Sequence, residues 1–185
     1  MNPFEQIETE RLILRKWTPE IAQKVFYMDL EKQMEFLGVF SEEQLHVHRE
    51  RFEKGLSTFN RDQLYFWIFP KNGRESIGWC GYHTWYTWHD RAEIGYELFE
   101  EGERKKGYMK EALAAILKYG LTAMKLHRIE AFVAPTNEAS LRLVRHFGFR
   151  EEGHLIEHYQ RDGVWEDSLA FGLLKHEESA QKICQ

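Results

Sequence analysis

The sequence is poor in cysteine and in long apolar runs, and it carries no excess of positive charge. Its two cysteines, Cys80 in an expected strand and Cys184 near the end, supply neither a disulfide framework nor metal-ligand spacing. No stretch approaches the roughly 20 apolar residues of a membrane-spanning helix. The opening MNPFEQIETE lacks the basic start and apolar core of a secretion signal. A cytoplasmic chain without membrane association is therefore expected. A net charge of −5 argues against general binding to nucleic acid or anionic lipid, so any anion site must be local. Repeats, low-complexity tracts and Pro/Gly/Ser linkers are also missing. One domain is expected over residues 1–185, with a core from about 7 to 175 and a polar tail.

What is present alternates between strand and helix signals. RLILRKW has strand periodicity, after which Thr18 caps and Pro19 opens a helix that is expected to run to about Leu30. Ser41 and Gln44 form a capping box for a second helix, with Leu45, Phe52 and Leu56 on its apolar face. QLYFWIFP and SIGWCGYHTWY read as strands joined at Asn72-Gly73, and HDR turns the chain into a third, AEIGYELF. A long helix is expected from about Gly107 to Lys125, then the strand RIEAFV, and then a helix from Asn137 closed by Gly148. A final hairpin turns at Asp162-Gly163. Seven strands and four helices in this order predict an α/β sandwich on a mixed sheet.

EGERKKGYMKEAL, residues 101–113, concentrates positive charge and two glycines at the start of the long helix. A strand, a glycine-bearing turn and a helix start bring several N–H groups and the positive dipole end together, which suits a phosphate or pyrophosphate. Lys105, Lys106 and Lys110 add countercharge. Gly102 and Gly107 have the spacing of a triphosphate-binding loop, but Tyr108 and Met109 stand where that motif needs Lys and Ser or Thr. The dinucleotide fingerprint GxGxxG is absent. A solvated charge run ahead of a surface helix is the competing reading.

Neighbouring residues decide between them. Arg104-Lys105-Lys106-Gly107-Tyr108-Met109 resembles the acetyl-CoA loop Gln/Arg-x-x-Gly-x-Gly/Ala of the GCN5-related N-acetyltransferases, with Met109 in place of the usual small residue. TERLILRKWTPE, AEIGYEL, GYMKEAL, NEASLRLV and HFGFREEG resemble the RimJ/RimL branch, which acetylates protein N-terminal amines and some small amines. The resemblance implies a mixed, mostly antiparallel sheet of about seven strands, splayed at its centre and flanked by about four helices. It implies acetyl-CoA as cosubstrate, its pyrophosphate held by backbone amides from Lys105 to Lys110 with Arg104 beside them. Leu98 and Phe99 would pair with the pantetheine arm, and the Leu98 N–H would serve the thioester carbonyl as an oxyanion donor.

The resemblance also suggests the catalytic groups. Glu93 lies eleven residues before Arg104, where the histone-acetylating relatives carry their general base. A solvated strand carboxylate or a salt-bridge partner is its alternative reading, and Glu97, Glu157 and Tyr159 are further candidates. The tyrosine that many relatives use on the leaving sulfur is replaced by Val144, which leaves Ser140, one turn earlier, to serve it. Asn137 would hydrogen-bond the pantetheine, although Asn137 and Ser140 also make an ordinary helix start.

Nine histidines do not make a metal site, since His46 and His48 point to different helix faces and His154 and His158 sit in a strand. No metal and no nucleic acid are expected. Trp79, Tyr82, Trp85, Tyr86 and Trp88 suggest a strand packed on both faces, with some aromatics free to line an acceptor groove. His127 and Arg128 suit packing or the adenosine end of the cofactor. The expected activity is direct acetyl transfer to a primary amine, from a protein N-terminus such as a ribosomal protein's or from a polyamine, amino acid or aminoglycoside. A CoA-binding module without turnover is the non-enzymatic alternative. A monomer or homodimer is expected.

Overall fold

The computed structural model describes residues 5–53 and 62–185. Among them the chain order is β1 (Gln6–Glu8), β2 (Leu12–Trp17), α1 (Pro19–Phe26), α2 (Leu30–Leu37), α3 (Glu42–Glu53), β3 (Asp62–Pro70), β4 (Gly78–Tyr86) and β5 (Arg91–Leu98). There follow α4 (Tyr108–Thr122), β6 (Arg128–Val133), α5 (Glu138–His146), β7 (Arg150–Arg161), β8 (Val164–Leu174) and α6 (Glu178–Cys184). The strands form one sheet in the order β1-β2-β3-β4-β5-β6-β8-β7, antiparallel throughout except for β5 and β6.

Local signals explain most of these elements. The Thr18 hydroxyl accepts the Ile21 N–H and Pro19 takes the first helical position, while Ser41 and Gln44 exchange hydrogen bonds of 3.2 Å as a capping box. Asp162 and Gly163 both adopt left-handed φ, of 50° and 82°, which matches the twist of the two strands they join. Phe52 and Leu56, expected on the apolar face of α3, lie outside the described side chains.

Three expectations are corrected. The helix expected to run from Thr18 to Leu30 ends at Phe26, because Asp29 captures the Lys32 N–H at 3.0 Å and starts a second helix, α2, which closes at Gly38 with φ 65°. An eighth strand, β1, pairs with β2 from Gln6–Arg15 to Glu8–Ile13. The tail is helix α6, with Ala180 fully buried and Ile183 and Cys184 packed on the main core, three apolar groups on one helical face.

Two cores sandwich the sheet. Leu12, Leu14, Phe66, Cys80, Tyr82 and Ile94 meet α4 and α5 on one face; Trp17, Trp67 and Phe69 meet α1, α2 and α3 on the other. β4 is packed on both sides, as its aromatics suggest, with Tyr82 in the first core and Trp79 against the second. Tyr82 donates to the Ile116 carbonyl at 2.9 Å, an approach that Gly120 permits, since a Cβ there would lie 2.0 Å from the Tyr82 hydroxyl. Trp88 instead stands exposed on a 3-10 turn.

The feature that positions the site is an opening in the sheet. β5 and β6 stay bridged only from Arg91–Arg128 to Glu93–Glu130. Beyond those pairs β5 runs on to Leu98 and β6 to Val133 without a shared bridge, leaving a wedge between them. Among the described residues no helix is long and apolar enough to cross a membrane, and no group of three or more His, Cys, Asp or Glu side chains could hold a metal ion.

Candidate active site

The basic loop leads directly into α4. Lys105 and Gly107 take left-handed φ of 63° and 83°, and Gly107 caps α4 without a side chain to offer its N–H groups. The first intrahelical bond of the turn is Glu111 N–H to Gly107 carbonyl at 3.1 Å, so the N–H groups of Tyr108, Met109 and Lys110 precede the helical ladder. Such a run of N–H groups at a helix start attracts an anion. Arg104 and Lys106 pair with Glu101 and Glu103, whereas Lys105 and Lys110 make no ion pair among the described residues.

A clamp from the start of the chain holds this loop. Glu111 accepts from the Thr9 hydroxyl at 2.5 Å, and from the Arg11 N–H and guanidinium at 2.8 Å each. Arg11 also donates to the Lys106 carbonyl at 3.0 Å and lies over the Tyr108 ring. Burial opposes ionisation of Glu111, but the hydrogen bonds from Thr9 and Arg11 outweigh it and hold the carboxyl below its ordinary pKa.

Between the loop, the end of β5 and the start of α5 lies a cavity of about 620 Å³. Leu98, Arg104, Lys105, Gly107, Tyr108, Met109, Lys110, Asn137 and Ser140 all line it, joined by Tyr96, Glu97 and Arg142. The Phe99 N–H donates to the carbonyl of Ile77, the residue just before β4, so by strand alternation the Leu98 N–H points the other way, toward the wedge. Asn137 accepts the Ser140 N–H at 3.1 Å and thus caps α5 while lining the cavity. Phe99 and Lys106 are not on its wall. The Phe99 ring turns to Trp67 on the opposite face, so the pairing expected of Phe99 has no free N–H behind it. Val144 is fully buried in the core, away from the cavity.

Glu93 occupies the other face of β5, at the last bridge before the wedge. It is 8% exposed, and its Oε1 meets His83 Nε2 at 3.1 Å and the Tyr159 hydroxyl at 3.3 Å. Tyr159 comes from the part of the β7–β8 hairpin that extends past the end of β6. Burial and the nearby Glu93 carboxylate push its pKa up to about 12, so it stays a neutral donor. The adjacent Glu130 is neutralised by Arg91 at 2.5 Å and Arg128 at 2.8 Å. Glu97 accepts from the Trp79 indole, and Glu157 is an exposed bulge residue at φ 51° whose N–H is held by Asp167. Arg128 binds Glu130 and Glu152 at the start of β6, the end of the sheet remote from the loop, so it packs strands together.

Two site residues were not anticipated. Tyr96 was legible in principle, since a period of two places it with Leu98. His83 was not, because a register shift in β4 between Tyr82 and Thr84 aims it at Glu93.

A splayed mixed sheet carries a basic loop with free helix-start N–H groups beside one of the parting strands and a buried carboxylate on that strand's other face, an arrangement suited to acyl transfer. The model of the Acetyltransferase (GNAT) domain family matches residues 11–150. The chain belongs to this family and is an N-acetyltransferase; the family's enzymes use acetyl-CoA. It is 31% identical over 177 residues to the uncharacterized N-acetyltransferase YoaA of Bacillus subtilis, covering 95% of this chain and 99% of that one. It is also 31% identical over 111 residues to the [ribosomal protein uS5]-alanine N-acetyltransferase of Escherichia coli, covering 60% and 57% of the two chains. The fold is shared with RimL, a ribosomal L7/L12 α-N-protein acetyltransferase solved with coenzyme A, at a TM-score of 0.66 and 21% identity over 92% of this chain and 98% of that one. The chain is thus similar to the RimJ/RimL branch.

Proposed function

We propose that the protein transfers the acetyl group of acetyl-CoA to a primary amine by direct attack in a ternary complex, with a protein N-terminal α-amine as acceptor. One observation carries this reading: β5 has the donor-lined cavity on one face and Glu93 on the other, at the point where β6 leaves it. An amine on the Glu93 side and a thioester on the cavity side would meet through the wedge. The orphan N–H groups at Gly107–Lys110 and the unpaired Lys105 and Lys110 fit a pyrophosphate. Leu98 offers the open strand edge to the amide-rich arm and its N–H to the carbonyl oxygen, which gains charge as the amine attacks.

Glu93 accepts the proton of the attacking amine, with His83 and Tyr159 fixing its carboxylate. Asn137, whose carbonyl oxygen is committed to the Ser140 N–H, keeps its NH2 for the arm, and the Ser140 hydroxyl faces the sulfur end. An α-amine titrates near about 7.7–8.0 against about 10.4 for Lys, so near neutral pH it needs less help from a base than Lys does. The acidic chain and the similarity to the uS5-alanine enzyme favour a basic acceptor of the ribosomal-protein kind.

The test is a thiol-release screen with acetyl-CoA over short peptides with free N-termini, N-terminally blocked peptides carrying Lys, polyamines, amino acids and aminoglycosides. Fastest turnover is expected with free N-termini. Preference for a small amine or for blocked Lys peptides would refute the acceptor but leave acetyl transfer standing. Calorimetric binding of CoA without thiol release across the panel would leave only a CoA-binding module.

A further inference from the structure

The cavity contains a second hydroxyl with no assigned role. Tyr96 lies on β5 two residues before Leu98 and on the same face, with its ring against the main core. Its hydroxyl is buried without a hydrogen bond of normal geometry, although Ser140 is near enough to influence it. The other buried side-chain atoms left without a partner among the described residues, on Gln63, Trp67 and His158, do not line this cavity. A buried hydroxyl without a partner is costly, and a partner that arrives with the ligand accounts for its retention. Val144, where many relatives carry a hydroxyl, is in the core, so Tyr96 and Ser140 are the hydroxyl groups on this part of the wall along with Tyr108 at the loop.

We propose that the Tyr96 hydroxyl is a hydrogen-bond donor to the sulfur of the bound thioester, stabilising the thiolate as it leaves. This rests on reading the cavity as the acetyl-CoA site. As the amine nitrogen bonds to the carbonyl carbon, the C–S bond breaks and its electron pair goes to sulfur. Tyr96 donates to that sulfur and keeps its own proton, Glu93 takes the proton of the amine, and solvent later protonates the thiolate. Burial pushes the Tyr96 pKa up to about 12, which suits a group that stays neutral and donates.

The test compares the wild type with Tyr96→Phe, which keeps the ring and removes the hydroxyl. CoA labelled with a carbon isotope beside the sulfur reports the pKa of the bound thiol by nuclear magnetic resonance. A donor to the thiolate lowers that pKa, so the variant should raise it by roughly one to two units and lower kcat roughly 10- to 100-fold. KM for acetyl-CoA and the melting temperature of the free protein should change little, because among the described residues Tyr96 makes no hydrogen bond of normal geometry that the variant would lose. An acetyl donor built on a more acidic thiol should recover part of the lost rate. An unchanged thiol pKa, or a drop in melting temperature that accounts for the lost activity, would overturn this proposal alone. Failure of the wild type to bind CoA by calorimetry would overturn the cavity's assignment and this proposal with it.

Discussion

Glu111→Gln tests how Thr9 and Arg11 hold the basic loop ahead of α4. The substitution keeps the size of the side chain and removes its charge, at a group that takes three hydrogen bonds, from the Thr9 hydroxyl, the Arg11 N–H and the Arg11 guanidinium, which also forms an ion pair with it. A bond to a charged acceptor is worth about 1.5–3 kcal/mol against about 0.5–1.5 for a neutral one, so each should weaken by about 1 kcal/mol. The Arg11 side chain is 44% exposed and Glu111 17%, so solvent screens part of the guanidinium contribution. With that discount, the net loss is about 2 kcal/mol, which for a chain of this size lowers the melting temperature by about 4–8 °C. Scanning calorimetry at neutral pH measures it. Because the folded Glu111 carboxyl titrates below its unfolded value, the charge-dependent stabilisation is fully present above the unfolded pKa of about 4.3 and fades as pH falls through the lowered folded one. The gap between wild type and variant should therefore narrow in acid. Equal melting temperatures at pH 7, or a gap that persists undiminished in acid, would refute the account of the clamp.

Three further substitutions address the cavity and the base. Gly107→Val meets only the Arg11 guanidinium, 3.4 Å from the new Cβ, so its cost arises from φ 83° and is about 1–2 kcal/mol; CoA affinity measured by calorimetry should fall far more than after Lys105→Ala, and normal CoA binding by the Val variant would sink the loop assignment. Glu93→Gln should lower turnover by roughly 10²- to 10⁴-fold while CoA affinity stays similar, and an unchanged rate would move the base elsewhere.

Strands and helix starts were legible in the sequence because each is specified within a few residues. Thr18-Pro19, Ser41 with Gln44 and Asp162-Gly163 satisfy their own backbone groups locally, and the structure contains each of them. Asp29 carries the same kind of signal, but a single aspartate without a following capping box is ambiguous in sequence between a surface position and a cap. The short strand β1 and the helix α6 have too little periodicity of their own and owe their order to β2 and the main core. The loop motif and the candidate base came from the resemblance to the family, carried by Arg104–Met109 and AEIGYEL, since residue types alone left a solvated charge run and a salt-bridge carboxylate open.

The sequence by itself determined the mixed sheet, the glycine turn at Gly107 that opens α4 and the strand that carries Glu93 and Leu98. Only the tertiary structure decided that β6 leaves β5 after Glu130, that Tyr159 reaches Glu93 from 66 residues away, that a shift in β4 brings His83 to the same oxygen, and that Thr9 and Arg11 clamp Glu111 across about 100 residues. The reason is physical: caps, turns and periodicity are settled by neighbours in the chain, whereas a site assembled where two strands part depends on register and on the elements packed above it.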